Sequence, residues 1–143
     1  MASPMLQVAV VVACVLCCGV QGARWNDPCN IRPYDLTEHG GEVTAPSHCT
    51  KGSVEWHYPQ GTLQVNFHTD QHRPFTVCLT PGIGPLLNSV AQLVGGQKIS
   101  VRNPQNGQTV CLPRADHRVV TVLLEQPTPQ TYMTMYDFHL LYQ

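Results

Sequence analysis

Residues 53–68 read Ser53-Val54-Glu55-Trp56-His57-Tyr58-Pro59-Gln60-Gly61-Thr62-Leu63-Gln64-Val65-Asn66-Phe67-His68. Val54, Trp56 and Tyr58 alternate with Ser53, Glu55 and His57. After Pro59-Gln60-Gly61 the alternation resumes, with Leu63, Val65 and Phe67 against Thr62, Gln64, Asn66 and His68. Side chains of a strand point alternately to its two faces, so apolar residues at every second position mark a strand with one buried face. Two such runs around a turn predict a β-hairpin, and Pro59 and Gly61 at its second and fourth positions fit a type I turn. This reading puts Trp56 in the core beside Val54 and Tyr58, not in an interface. It makes Tyr58-Pro59-Gln60-Gly61 a plain turn, not a displayed loop.

The same punctuation continues outward. Lys98–Val101 and Thr109–Leu112 flank Asn103-Pro104-Gln105-Asn106-Gly107, a run of turn formers, and predict a second hairpin. Val119 to Glu125 is apolar on both faces through Leu124, as expected of a strand between two layers. Thr131 to Tyr142 sets Tyr132, Tyr136, Phe138, Leu140 and Tyr142 against Asp137 and His139. Pro85 to Val94 carries Leu86, Leu87, Val90 and Val94 at near-helical spacing and fits either a short helix opened by Pro85 or an irregular strand. Many short strands without strand–helix alternation give an all-β domain, a β-sandwich of jelly-roll type. Trp56, Leu63, Val65, Phe67, Val122, Leu124 and Phe138 are its expected core.

Composition narrows the function classes. Among 143 residues, 8 Lys and Arg against 9 Asp and Glu leave a formal charge of −1, with no basic footprint for nucleic acid. A hydrophobic share of 43% is too high for a disordered charged tail. Leu6 to Val20 is an apolar run of about 15 residues, short of the roughly 20 that span a bilayer, and it ends in Val20-Gln21-Gly22. Residues 1–22 are therefore expected to be a cleaved signal peptide and residues 23–143 one secreted domain without a membrane anchor. That removes Cys14, Cys17 and Cys18. Cys29, Cys49, Cys78 and Cys111 remain, an even number that predicts two disulfides with three possible connectivities. Spacing favours joining neighbours. Zinc would need close pairs such as C-x₂-C, which residues 23–143 lack.

Cys49-Thr50-Lys51-Gly52-Ser53-Val54-Glu55-Trp56-His57-Tyr58-Pro59-Gln60-Gly61-Thr62-Leu63 resembles the Cys…Gly-x-Val/Leu-Glu-Trp-x-Tyr-Pro-x-Gly-x-Leu segment of the meteorin and meteorin-like family. Cys29 falls where that family has its first Cys, and Cys78-Leu79-Thr80-Pro81 resembles its Cys-Leu-Arg-Pro. Thr128-Pro129 and Tyr136–Tyr142 resemble its Thr-Pro and its closing strand. The resemblance implies a CUB-like β-sandwich with two sequential disulfides, Cys29–Cys49 and Cys78–Cys111. It also implies a secreted signalling factor, of a family linked to glial and neuronal development and to metabolic and immune signalling. The sequence stops before the Cys-rich, netrin-like domain that follows in the family.

Chemistry-bearing residues point to no cofactor. The seven His are His39, His48, His57, His68, His72, His117 and His139. His57 and His68 would face each other across the first hairpin, with His72 near, but polar strand faces account for them equally well. Calcium needs six to eight oxygen ligands. The stretch between Cys49 and Cys78 offers only Glu55 and Asp70, without the Tyr-Asp-Tyr segment of calcium-binding CUB domains. There is no G-x-S-x-G, no H-E-x-x-H and, with four paired Cys, no thiolate. Asp137 and His139 share a strand face without a nucleophile, and no N-x-S/T sequon occurs.

The expected function is a secreted, non-enzymatic interaction module that binds an extracellular or cell-surface protein. Its candidate contact loops hold Asp70, Gln71, His72 and Arg73; Ile83; and Asn103, Gln105 and Asn106. A sugar- or lipid-binding sandwich would instead show an open apolar cavity. A small hydrolase would bring at least two His to a cleft with a third polar group.

Overall fold

The computed structural model describes residues 27–33, 40–130 and 132–143; the expected signal peptide lies outside the described residues. Ten strands run in chain order: β1 Asn30–Ile31, β2 Gly40–Thr44, β3 Lys51–Trp56, β4 Gly61–His68, β5 Phe75–Pro81, β6 Ser89–Val94, β7 Gln97–Val101, β8 Val110–Cys111, β9 Val119–Gln126 and β10 Thr134–Tyr142. They form two five-stranded sheets, β1-β3-β10-β5-β8 and β2-β4-β9-β6-β7. The pairs β1–β3 and β2–β4 are parallel and the rest antiparallel. The all-β sandwich expected from the sequence is the fold found, and no helix occurs among the described residues.

The first expected hairpin does not form. Both strands exist, but β3 lies between β1 and β10 in one sheet and β4 between β2 and β9 in the other. The chain crosses the sandwich between them. Alternation cannot separate the two cases, because β3 and β4 aim their apolar sides at the same interior: Val54 and Trp56 from one sheet, Leu63, Val65 and Phe67 from the other. The break comes at Tyr58, whose φ of 50° is rare for a bulky residue. It ends β3 at Trp56 and swings Tyr58 off the core face into solvent. The Pro59 carbonyl accepts from the Gln130 N–H at 3.1 Å, which ties this turn to the segment after β9.

The second expected hairpin fails in the same way. β7 pairs with β6, and β8 pairs with β5 in the opposite sheet. The hairpin that does form is β6–β7, closed by Gly95 and Gly96 at φ 56° and 79°. Positive φ at both central residues is the two-residue turn that suits strand twist. Pro85–Val94 is thus an irregular stretch leading into β6, not a helix. Leu87 fills the core from the loop and Val90 from the strand.

All seven expected core residues are buried. β9 sits at the centre of its sheet, with Val120, Val122 and Leu124 facing the interior. The Phe67 and Phe138 rings meet between the sheets at 4.8 Å, edge to face, a favoured aromatic geometry. The disulfides join Cys29 to Cys49 and Cys78 to Cys111, as expected. The second bridges directly opposed residues of β5 and β8.

Residues 112–118 strap the side of the sandwich beyond β5 and β6. The Leu112 N–H donates to the Val77 carbonyl at 2.9 Å, and Thr76 Oγ1 donates to the Leu112 carbonyl at 2.9 Å. Phe75 and Asp116 exchange both backbone hydrogen bonds, at 2.9 and 3.0 Å. From the other sheet, buried Gln92 meets the Arg114 backbone twice: its Nε2 donates to the carbonyl at 2.7 Å, and its Oε1 accepts from the N–H at 3.0 Å. One glutamine therefore joins the strap to β6 while Phe75 joins it to β5.

Candidate functional site

Register sorts the connections into two ends. Trp56 pairs with Thr134, Gly61 with Gln126, Pro81 with Tyr136 and Val90 with Val101. The turn 57–60 and the segments 82–88, 102–107 and 127–133 therefore share one end. His68 pairs with Val119 and Tyr142 with Phe75, so residues 69–74 lie at the other. The expected contact residues are thereby divided. Ile83, Asn103, Gln105 and Asn106 lie at the first end, and Asp70, Gln71, His72 and Arg73 at the second. There, Arg73 stacks over the Tyr142 ring at 5.5 Å and donates to the Gln143 carbonyl at 3.3 Å. Asn103 works inward. Its Nδ2 donates to the Leu87 carbonyl at 2.6 Å, and its Oδ1 accepts from the Tyr136 hydroxyl at 3.3 Å. That hydroxyl also accepts from the Leu87 N–H at 3.3 Å, and burial pushes its pKa up.

At the first end, three large apolar side chains point into solvent: Tyr58 and Tyr132, each 71% exposed, and Ile83, 63% exposed. The backbone beneath them is tied together. The Gly82 N–H donates to the Met135 carbonyl at 2.8 Å, and the Met135 N–H donates to the Ile83 carbonyl at 2.9 Å. Thr134 Oγ1 donates to the Pro85 carbonyl at 2.9 Å. Gly84, at φ 96°, lies so close to Met133 that any Cβ would collide with its carbonyl. With the Gln130–Pro59 bond, all three segments form one surface. Residues 58–61, 82–85 and 127–133 contain no Lys, Arg, Asp, Glu or His, while exposed His57 and Arg102 flank them at the same end, the tip.

A polar constellation lies on the outer face of the β3 sheet. The Arg32 Nε donates to Glu55 Oε2 at 3.0 Å, and His57 Nε2 lies 2.8 Å from Glu55 Oε1. Ser53 Oγ bonds the Asn30 side chain at 2.8 Å. Both carboxylate oxygens of Glu55 are thus engaged, and Arg32, just past β1, is pinned to β3. His57 lies at the tip end and His68 at the opposite end of the other sheet, so the facing expected across a hairpin is not formed.

A surface cleft of about 690 Å³ is lined by Asp27, His48, Lys51, Asp137 and His139, with Cys29 and Gly52 in its wall. It is the place where two imidazoles meet polar groups. Asp27 Oδ1 accepts from the Cys29 N–H at 2.9 Å, and Ser53 Oγ, also in the lining, is held by Asn30. The donor atoms of Cys29, His48 and Cys49 lie within 4.8 Å of one another. The two sulfurs are bonded to each other, so this trio offers a metal one imidazole and no thiolate. Two His at a cleft with further polar groups is the arrangement set out above as favouring a hydrolase; among the described residues Ser53 Oγ, the hydroxyl on the β3 side of the lining, is held by Asn30 and not by either imidazole.

Two ionised carboxylates serve strands elsewhere. Asp116 Oδ1 accepts from the Arg118 N–H at 2.6 Å and from the Val119 N–H at 3.2 Å, which caps the entry to β9. The Arg118 hydrogen bond leads the causes that hold its pKa below the usual carboxylate range. Glu125 is held low first by its hydrogen bond from Lys98 Nζ at 2.7 Å.

Sequence reasoning missed the tip as a unit. It had Ile83 but placed Tyr58 and Tyr132 on core faces. The available signal was compositional: Pro, Gly, Gln and Thr around single Tyr and Ile residues, with no charge.

Comparison with known proteins bears out the resemblance read from the residues. Residues 36–85 match the family described as Meteorin-like protein N-terminal domain. Meteorin of Rattus norvegicus is 37% identical over 76 residues, 48% of this chain and 26% of that protein, and meteorin of Mus musculus matches to the same extent. Human meteorin is 32% identical over 81 residues, 51% of this chain and 28% of that protein. The chain spans about a quarter of the length of these relatives. The two disulfides fit an oxidising, extracellular compartment.

Proposed function

We propose that this protein is a secreted, non-enzymatic interaction and signalling module that binds an extracellular or cell-surface protein. The observation that carries the reading is the division of labour inside the Glu55-Trp56-His57-Tyr58-Pro59 segment. Trp56 and Pro59 are buried and serve the core. Tyr58, next to them, lies outside the core, held at φ 50° and 71% exposed. Backbone strain of this kind costs roughly 1–3 kcal/mol and gathers at sites of recognition and catalysis. The segment lies within the stretch matched to the meteorin-like N-terminal domain, which supports a role shared with those proteins.

The test begins with the full chain expressed in a secretory mammalian cell line. The protein should appear in the medium, lacking residues 1–22 on N-terminal sequencing. Fluorescently labelled, it should bind neural cells saturably, and trypsin treatment of the cells should abolish the binding. Retention inside the expressing cells, or binding that never saturates on any cell type tried, would contradict the reading. So would turnover of a substrate that is abolished by His48→Ala or His139→Ala.

A further inference from the structure

We infer that Cys29, His48 and Cys49 form a latent zinc site, closed while the two sulfurs are bonded to each other and opened by a small thiol. The inference stands apart from the partner-binding reading above.

Sequence spacing offers no close cysteine pair, but the fold makes one. The Cys29 and Cys49 sulfurs and a ring nitrogen of His48 lie within 4.8 Å of one another. His48 Nε2 is 3.9 Å from Cys49 Sγ. Tetrahedral zinc, with bonds of about 2.3 Å to sulfur and about 2.0 Å to nitrogen, sets its sulfurs about 3.8 Å apart and its sulfur and nitrogen ligands about 3.5 Å apart. The imidazole therefore stands near the required separation already, and the sulfurs need only part. Two thiolates with an imidazole are a soft ligand set of the kind that selects zinc over calcium or magnesium. The fourth position falls to solvent in the cleft that Cys29 and His48 both line. Among the described residues no third donor of this kind converges on the other bridge, Cys78–Cys111.

The backbone keeps the trio together once the sulfur–sulfur bond is gone. The Cys29 N–H donates to Asp27 Oδ1 at 2.9 Å, and its carbonyl accepts from the Ser53 N–H at 3.0 Å. Gly52 packs so closely on that carbonyl that any Cβ would strike it. The Cys49 N–H donates to the Pro46 carbonyl at 3.0 Å, and β1, next to Cys29, pairs with β3. A site whose backbone is already ordered loses little freedom when it binds.

Opening is thiol–disulfide exchange. Cys29 is half-buried in the cleft wall, whereas Cys49 is buried. The thiolate of a small thiol therefore attacks Cys29 Sγ. The Cys29–Cys49 bond breaks and its electron pair leaves on Cys49 Sγ, beside the His48 imidazole. A second thiolate attacks the small thiol's sulfur in the mixed disulfide and frees Cys29. Two thiols are thereby oxidised to one small disulfide and two cysteines are reduced. Zinc takes both cysteines as thiolates, and their protons go to solvent.

The test uses the full-length protein purified from the medium. It is treated with β-mercaptoethanol without denaturant, desalted under argon, and titrated with zinc or with cobalt(II). Alkylation and peptide mass mapping report which cysteines are open. The opened protein should bind a single zinc, and its cobalt form should show the near-ultraviolet band of a cobalt–thiolate bond; the untreated protein should do neither. His48→Ala should bind zinc at least about tenfold more weakly, since losing even an outer-shell partner of a ligand costs about that much. His72→Ala, at the far end of the sandwich, should bind normally. If opening lowers the thermal melt, zinc should restore it in the original protein and not in His48→Ala. A Cys29–Cys49 bridge that resists the thiol overturns the inference, as does an opened protein that binds no zinc. Unchanged affinity in His48→Ala also overturns it, and so does zinc binding that persists in Cys29→Ser/Cys49→Ser. None of these measurements involves cells, so each outcome leaves the partner reading where it stood.

Discussion

Replacing Gln92 should uncouple the two sheets on the strapped side. Its amide is buried on an inward face and makes hydrogen bonds of 2.7 and 3.0 Å with the Arg114 backbone. Gln92→Met keeps the volume and removes both bonds. Each contributes a net of about 1 kcal/mol, so the loss should be about 2 kcal/mol, more if the Arg114 groups stay unpaired. Gln92→Ala also leaves a void, for roughly 1–2 kcal/mol beyond that. Urea denaturation should show a lower midpoint at unchanged slope, the signature of lost stability without a change in the surface exposed on unfolding. Scaling by domain size gives a melting temperature lower by roughly 8 °C for the Met variant. Hydrogen exchange should quicken first at the amides of Arg114 and Asp116, since the strap is then held only by its bonds to β5, at Leu112 and at the Phe75–Asp116 bridge. A Gln92→Met protein within about 0.5 kcal/mol of the original would refute the reasoning. Water would then serve Arg114 as well as the glutamine does, and the strap would not depend on β6.

Four further predictions concern stability. Trp56→Ala should cost roughly 3–5 kcal/mol in chemical denaturation, whereas Tyr58→Gly should stabilise by about 1 kcal/mol through relief of its positive φ; a destabilised Tyr58→Gly would mean that the ring packs on something. Replacing Cys78 and Cys111 together by Ala should cost roughly 3–4 kcal/mol for a 33-residue separation on the chain-entropy account, and a loss below about 1 kcal/mol in a reversible melt would contradict it. Glu125 is held below the ordinary Glu value of 4.5, first by the Lys98 hydrogen bond. The unfolded chain therefore takes up this proton first on acidification. The stabilisation is complete above the unfolded value and is lost as pH falls through the folded one. In Lys98→Met the Glu125 titration followed by NMR should move upward, and an unmoved titration would show that Lys98 is not the cause.

The strands were legible because burial on one face writes itself into the sequence at period two. Leu63, Val65 and Phe67 announce β4, and the doubly apolar run from Val120 to Leu124 announces the central strand β9. Partners were not legible. A strand leading to its neighbour and a strand leading to the opposite sheet bury the same side, so Ser53–His68 reads alike in both cases. The true hairpin was marked by Gly95-Gly96, but the near-helical spacing of Leu86, Leu87, Val90 and Val94 obscured it. That spacing comes from a loop residue, Leu87, and strand residues serving one core by different routes. Short β1, β2 and the strongly buried β5 were not picked out. At the tip, the turn of Tyr58 away from the core depends on a positive φ in a residue that is not glycine, which composition does not encode.

The path of the chain also bears on how fast this protein can fold. It changes sheet at every connection between successive strands except β6–β7, so only that hairpin forms from neighbours in sequence. Every other pairing must wait for distant segments to meet, and their loop-closure entropy is lost before the contacts compensate. Topologies of this kind fold in milliseconds to seconds, orders of magnitude slower than helical bundles. β6–β7 is the one element able to form on a hairpin's microsecond timescale, well before the rest. Until β9 arrives, the edge of β6 that it will cover lies bare. The chain is therefore most exposed to mispairing between copies after that hairpin forms and before residues 119–126 are in place.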